Sequence, residues 1–185
     1  MNGKLTIEGY AIVSANGMIA DCACMMPNSL KHDADQEFLD TALDRAAVIV
    51  HGRKSHEGQA KSHLRRRLLL TRCVKTFEPD PDTPNVWLWN PAGASLDEVC
   101  AALGVKEGVV AVLGGTAAYD MFLERYSTFH LCRAGKVEIP DGTPVLSGVS
   151  RERSPEEVLR EAGLWLEDSR LLDREQDLTH ECWRR

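Results

Sequence analysis

The sequence predicts an α/β fold on a mostly parallel sheet, with helices on both faces and an antiparallel C-terminal edge. Short apolar runs alternate with amphipathic helical stretches through most of the chain, the pattern of strand–helix–strand units. Two of these runs end on glycine just before a polar stretch or a helix start. The last segment instead reads strand, turn, strand, with no helix between.

The elements follow in order. "LTIEGYAIV" (5–13) alternates and reads as a strand, followed by a loop from Ser14 to about Lys31. "DADQEFLDTALDRA" (33–46) reads as a helix with Phe38, Leu39, Ala42, Leu43 and Ala46 on one face. Its acidic first turn suits the positive end of the helix dipole. "AVIVHG" (47–52) is a short apolar strand. "SHEGQAKSHLRR" (55–66) is helical or partly so, weakened by Gly58. "RLLLT" (67–71) and "NVWLWN" (85–90) are strands, with "FEPDPDTPN" (77–85) a loop between them.

"SLDEVCAALG" (95–104) is a helix in which Ser95 offers an N-cap, Glu98 completes a capping box and Gly104 ends the last turn. "GVVAVLGG" (108–115) is a strand entering a double glycine, and "TAAYDMFLERY" (116–126) is the next helix. "TFHLCRAGKVEI" (128–139) is a strand, "IPDGTPVLSG" (139–148) a loop and "SPEEVLREAG" (154–163) a short capped helix. "LWLEDSRLLD" (164–173) and "DLTHECWRR" (177–185) form the terminal hairpin. Without an internal repeat or a linker, a single domain over 1–185 is expected.

Composition narrows the function classes. A net charge of −6 argues against a general nucleic-acid binder. The one basic stretch, "HLRRRLLLTR", reads as a solvated helix end. No apolar run approaches the roughly 18 residues of a membrane helix. "MNGKLTIEGYAIV" lacks the apolar core of a signal peptide, so a cytoplasmic protein is expected. The six cysteines, Cys22, Cys24, Cys73, Cys100, Cys132 and Cys182, form no C-x-x-C pair. They read as reduced thiols, and no metal site is expected. Trp87, Trp89, Trp165 and Trp183 all fall in predicted strands, where they serve either core or interface; a homodimer is kept as an option.

Three strand ends carry phosphate-type chemistry. At "VVAVLGGTAAYDMFL" (109–123), an apolar strand meets Gly114–Gly115 and a helix opens at Thr116, so an anion can approach free backbone N–H groups closely. At "VIVHGRKSHEG" (48–58), Gly52 is followed by Arg53, Lys54 and Ser55, two cations and a hydroxyl suited to a diphosphate or a 2′-phosphate. At "LLLTR" (68–72), Thr71 and Arg72 close a strand where a ribose phosphate can be held. Each is ordinary alone, and together they favour a dinucleotide.

The order and spacing of "AIVSANGMIA", "MMPNSLKHD", "VIVHGRKS", "RLLLTR", "VLGGTAAYDMFL" and "HLCRAGKVEIPDGTPVL" resemble the dihydrofolate reductase superfamily, which includes the reductase domain of bacterial riboflavin biosynthesis. The resemblance covers about residues 5 to 146 by motif and the C-terminal hairpin by layout. It implies a three-layer sandwich around a sheet of about eight strands, and NADPH as cofactor. Gly52, Arg53, Lys54 and Ser55 would bind the diphosphate and adenosine phosphate, and Thr71 and Arg72 the adenosine side. Leu113, Gly114, Gly115, Thr116, Ala117 and Ala118 would meet the diphosphate, with a cis peptide between the glycines. Tyr119 would lie near the nicotinamide. Ala11, Ile19 and Ala20 match positions where backbone meets nicotinamide or substrate.

For the substrate, the resemblance points to Ile12, Met26, Asn28, Leu30, Asp33, Phe38 and Cys132. Asp33, six residues after Pro27, would be the catalytic carboxylate. It would accept hydrogen bonds from the N3 and 2-amino edge of a pterin and favour protonation at N5. Asp35 is the rival acid if the helix phase is shifted. Three positions depart from the superfamily pattern: Asn28 replaces a usual tryptophan, Cys132 a usual threonine, and Ala117 stands where some members have arginine. "SANGMIA" is as close to the riboflavin-reductase pattern as to folate enzymes. The expected reaction is therefore hydride transfer from NADPH to a dihydropterin, either dihydrofolate or a relative such as dihydromethanopterin. The alternatives are reduction of a ribosylamino-pyrimidine, and a non-catalytic protein that kept the fold and binds NADPH. Absence of a zinc-deaminase signature tilts the choice toward the pterin.

Overall fold

The computed structural model describes residues 4–53 and 61–185. Its strands are β1 (Leu5–Ser14), β2 (Met18–Ala20), β3 (Ala46–Gly52), β4 (Arg67–Leu70), β5 (Phe77–Pro79), β6 (Val86–Trp89), β7 (Gly108–Val112), β8 (Thr128–Ala134), β9 (Thr143–Pro144), β10 (Trp165–Asp173) and β11 (Leu178–Arg184). The α-helices are α1 (Asp33–Leu43), α2 (Leu96–Ala102), α3 (Thr116–Met121) and α4 (Pro155–Glu161).

Nine strands form one sheet in the order β10-β11-β8-β1-β7-β3-β4-β6-β5. The six strands from β8 to β6 run parallel. The hairpin β10–β11 adds antiparallel strands at one edge, as the sequence predicts. The other edge is antiparallel too: "FEP", inside a segment expected to be loop, pairs with β6. Its three residues are too short to show a period. The small β2–β9 pair was also invisible in the sequence, because two and three residues carry no periodicity.

Successive residues of the central strands face opposite layers. Val110 and Val112 enter the main core with Leu96 and Val99 of α2, Phe122 beyond α3, and Leu159 of α4. Ala111, between them, faces α1 with Tyr10, Ile49 and Leu43. The result is one helix layer on each side of the sheet. The predicted capping box of Ser95 with Glu98 forms, and Ser154 with Glu157 makes a second at the start of α4. The C-terminal half of "TAAYDMFLERY" does not continue as α-helix, since α3 stops at Met121. Of "SHEGQAKSHLRR", the described part is a 3₁₀ turn at Ser62–Leu64, and the rest lies outside the described residues. Trp89 and Trp183 are core residues, whereas Trp165 is 54% exposed. Among the described residues no helix is long and apolar enough to cross a membrane.

Candidate active site

The chain order places β7 between β1 and β3, so the carboxyl ends of β1, β3, β4, β7 and β8 lie side by side. This is where ligands bind in open α/β sheets. The expected cofactor residues converge there. The Gly52 amide donates to the carbonyl of Gly114 at 2.7 Å, joining the ends of β3 and β7. A Cβ on Gly52 would stand 3.5 Å from the Gly115 nitrogen. Gly114 has φ of +91° and lies against the Tyr119 ring, where a Cβ would approach to 2.7 Å. The Gly114–Gly115 peptide is cis.

Leu113, Gly115 and Thr116 are half-buried, Ala117 is exposed, and Ala118 is buried. The Thr116 hydroxyl donates to the carbonyl of Pro144, fastening α3 to the β2–β9 pair. That pair carries Ile19 and Ala20 over the strand ends. Asn16 helps hold it, exchanging hydrogen bonds with the backbone of Ile139 at 2.9 and 3.1 Å.

Tyr119 is buried, and its hydroxyl donates to the Tyr10 carbonyl at 2.5 Å. It supports the backbone next to Ala11 from beneath. Gly52 pairs with Leu70 across β3–β4, which puts Arg53 beside Thr71 and Arg72. The Thr71 hydroxyl accepts from the Cys73 amide at 3.1 Å and shapes that turn. Arg53 and Arg72 are both exposed, so two cations face solvent at neighbouring strand ends. Lys54 and Ser55 lie outside the described residues.

On the α1 side, Ile12, Leu30 and Cys132 pack into one cluster. The structure turns Asp35, not Asp33, toward them. Asp33 is exposed in the first turn of α1. Asp35 is half-buried, and the Cys132 side chain lies close enough to influence its titration. Burial raises the Asp35 pKa above the usual carboxylate range, against the opposing pull of Cys132 and His32. Burial, and after it the Asp35 carboxylate, push the Cys132 thiol far up, so it stays protonated. Of the two candidate acids, Asp33 is exposed and Asp35 faces the Ile12–Leu30–Cys132 cluster, because the helix phase turns it there. Asp35 stands three and four residues before Phe38 and Leu39, on the apolar face, whereas Asp33 does not. That spacing was visible in the sequence. Counting from Pro27 assumed a continuous approach, and the 3₁₀ turn Asn28–Leu30 resets it. Met26 and Asn28 are exposed at this entrance, and Leu30 is fully buried.

A polar cluster that the sequence did not reveal lies behind Phe38. The Tyr10 hydroxyl donates to Glu8 at 2.5 Å, and His130 stacks on Tyr10 with centroids 4.8 Å apart. His130 Nδ1 and His180 Nε2 are 3.1 Å apart. Phe38 covers His180 with centroids 4.5 Å apart. The His130 hydrogen bond chiefly holds Glu8 below its usual range. Burial, then the neighbouring His130 and Arg170, lowers His180 to about 4. These residues come from three strands and one helix, so only folding assembles them.

No protein-family model and no curated protein matches the chain. Solved structures do. A Shewanella sp. PV-4 protein described provisionally as a riboflavin biosynthesis protein superposes with a TM-score of 0.67 at 16% identity, covering 97% of this chain and 98% of its own. Dihydrofolate reductase from Enterococcus faecalis, complexed with NADP(H) and RAB-propyl, gives 0.63 at 15% identity, covering 97% and 96%. A Thermotoga maritima diaminohydroxyphosphoribosylaminopyrimidine deaminase/5-amino-6-(5-phosphoribosylamino)uracil reductase gives 0.66 at 13% identity, and this chain spans 56% of it. The chain has the dihydrofolate reductase-like fold. The nine-stranded sheet with its antiparallel hairpin edge is the form that the fold takes here.

Proposed function

We propose that this protein is an NADPH-dependent reductase that transfers hydride to a dihydropterin, either dihydrofolate or a related dihydropterin. The observation that carries this reading is the half-hidden carboxylate of Asp35, thiol-supported, on the opposite face of β1 from the Tyr119 ring that underlies Gly114. A carboxylate held this way accepts paired hydrogen bonds from an amidine-like ring edge and fixes the ring in place.

The backbone at Gly52 suits a diphosphate, because a Cβ built there would meet only backbone atoms among the described residues, at 3.5 and 3.6 Å. Arg53 and Arg72 would hold the adenosine 2′-phosphate. When bound, NADPH supplies the hydride. Ile12, Leu30 and Phe38 exclude water from the face of the ring, and Asp35 keeps a proton available to the reduced nitrogen. Asn28, exposed where the superfamily has tryptophan, makes the entrance more polar than in a folate enzyme. The six free thiols suit a cytoplasmic setting.

Reduction of a ribosylamino-pyrimidine is the second reading. The likeness to the Shewanella protein, described provisionally as a riboflavin biosynthesis protein and covered over 98% of its chain, supports it. NADPH oxidation followed in parallel with dihydrofolate, dihydromethanopterin and the pyrimidine tests both. Turnover on a pterin supports the first, and turnover on the pyrimidine alone replaces it with the second. NADPH binding without turnover on any of the three leaves a non-catalytic protein.

A further inference from the structure

The two edges of the sheet are finished differently. β5 is three residues long and ends on Pro79, a device that blocks further pairing. β10 has nine residues and no proline, and pairs on one side only, with β11. Its residues from Trp165 to Leu171 are exposed, and Trp165, Leu166 and Leu171 are 54%, 45% and 50% accessible. An open edge with large apolar side chains is a template for another strand.

The charges on β10 select the partner. Register shifts fall between Leu166 and Asp168 and between Leu171 and Asp173, leaving Asp168–Leu171 as the regular tract. A two-fold axis perpendicular to a continuous sheet keeps each side chain on its own face. Directly opposed residues then share parity, so the axis must fall on a residue. An axis at Asp168 would oppose Leu166 with Arg170. An axis at Arg170 would oppose Asp168 with Leu172. Only an axis at Ser169 opposes Asp168 with the second copy's Arg170, and does so twice. Opposite charges directly across an antiparallel pair are stabilising, and like charges are not. The small Ser169 at the axis lets the strands approach. The Arg170 guanidinium also lies 5.8 Å above the Phe38 ring, and its planar fork can stack there while its edge meets a carboxylate.

We propose that β10 joins two copies of this chain, edge to edge and antiparallel, about a two-fold axis at Ser169. The two nine-stranded sheets become one. Arg170 then links the interface to Phe38 at the back of the candidate site.

Sedimentation of the full chain over a concentration series tests this. The unmodified protein is expected to be a dimer. Asp168→Arg and Arg170→Asp each place like charges opposite one another, and each should weaken dimerisation by about tenfold or more. The two substitutions together restore opposite charges and should restore the dimer. A monomeric unmodified protein overturns the proposal. So does a dimer that tolerates both single reversals, or a double variant with native circular dichroism that stays monomeric. Ser169→Cys provides a readout independent of the reversals. Opposed residues in an antiparallel pair lie about 4.5–5.5 Å apart between Cα atoms, within disulfide reach. Mild oxidation should link this variant into dimers beyond the level seen for the unmodified chain, and no increase overturns the register.

Discussion

Asp35 of α1 and Cys132 of β8 face each other as a coupled acid–thiol pair, each shifting the titration of the other. Burial raises the pKa of this acid, and the thiol works in the opposite direction. If the acid keeps a proton available to the substrate, Asp35→Asn should lower kcat/KM by about 10²-fold or more in an NADPH oxidation assay. Asp33→Asn, at an exposed position, should change it little. Equal losses in both variants would return the role to the first turn as a whole.

The same contact makes a prediction about pH. If a protonated Asp35 supports the reaction, kcat/KM should fall as pH rises through its raised pKa. Cys132→Ala removes a contact that lowers that pKa and should move the fall to higher pH. A pH–rate profile of the two proteins checks the direction. A shift to lower pH would contradict the assignment.

Two glycine substitutions separate folding from binding. Ala at Gly114 meets both a positive φ and the Tyr119 ring at 2.7 Å, and should cost about 2 kcal/mol or more of stability. Ala at Gly52 meets backbone only at ordinary contact distance, 3.5 and 3.6 Å. It should melt near the temperature of the unmodified protein while weakening NADPH binding by about tenfold or more, since the methyl occupies the space meant for the diphosphate. Thermal unfolding and a fluorescence titration read the two effects.

Arg72→Ala should reduce the preference for NADPH over NADH by about tenfold, the scale of a lost charge-assisted hydrogen bond. An unchanged ratio of the two kcat/KM values would remove Arg72 from the 2′-phosphate site.

His180 predicts acid sensitivity. Its pKa is about 4 in the folded chain against 6.5 for an ordinary histidine, so below pH 6.5 the unfolded state binds more protons. Stability should decline as pH falls from about 6.5 toward 4, by about 2 kcal/mol from this residue. In urea unfolding at pH 7 and pH 4.5, His180→Gln should narrow the difference between the two conditions.

The parallel sheet, the hairpin edge and the Ser95–Glu98 capping box were legible because each rests on local periodicity or on residues three positions apart. The convergence of the candidate cofactor residues was legible for a related reason: glycine and cations just past an apolar run mark a strand end, and strand ends are where ligands meet such sheets. The placing of the two candidate acids was less legible. The spacing from Pro27 passes through the Asn28–Leu30 turn, while the apolar phase of α1 pointed to Asp35.

The sequence by itself determined the class of fold, most of its elements and which strand ends carry glycine and cations. Those features depend on side-chain period and on turn chemistry within a few residues. Only the tertiary structure decided which carboxylate faces Cys132, that Gly52 and Gly114 meet at 2.7 Å, and that Tyr10, Phe38, His130 and His180 share one buried cluster. Those pairings join residues from 28 to 142 positions apart in the sequence. They are set by strand order and register, which no local pattern encodes.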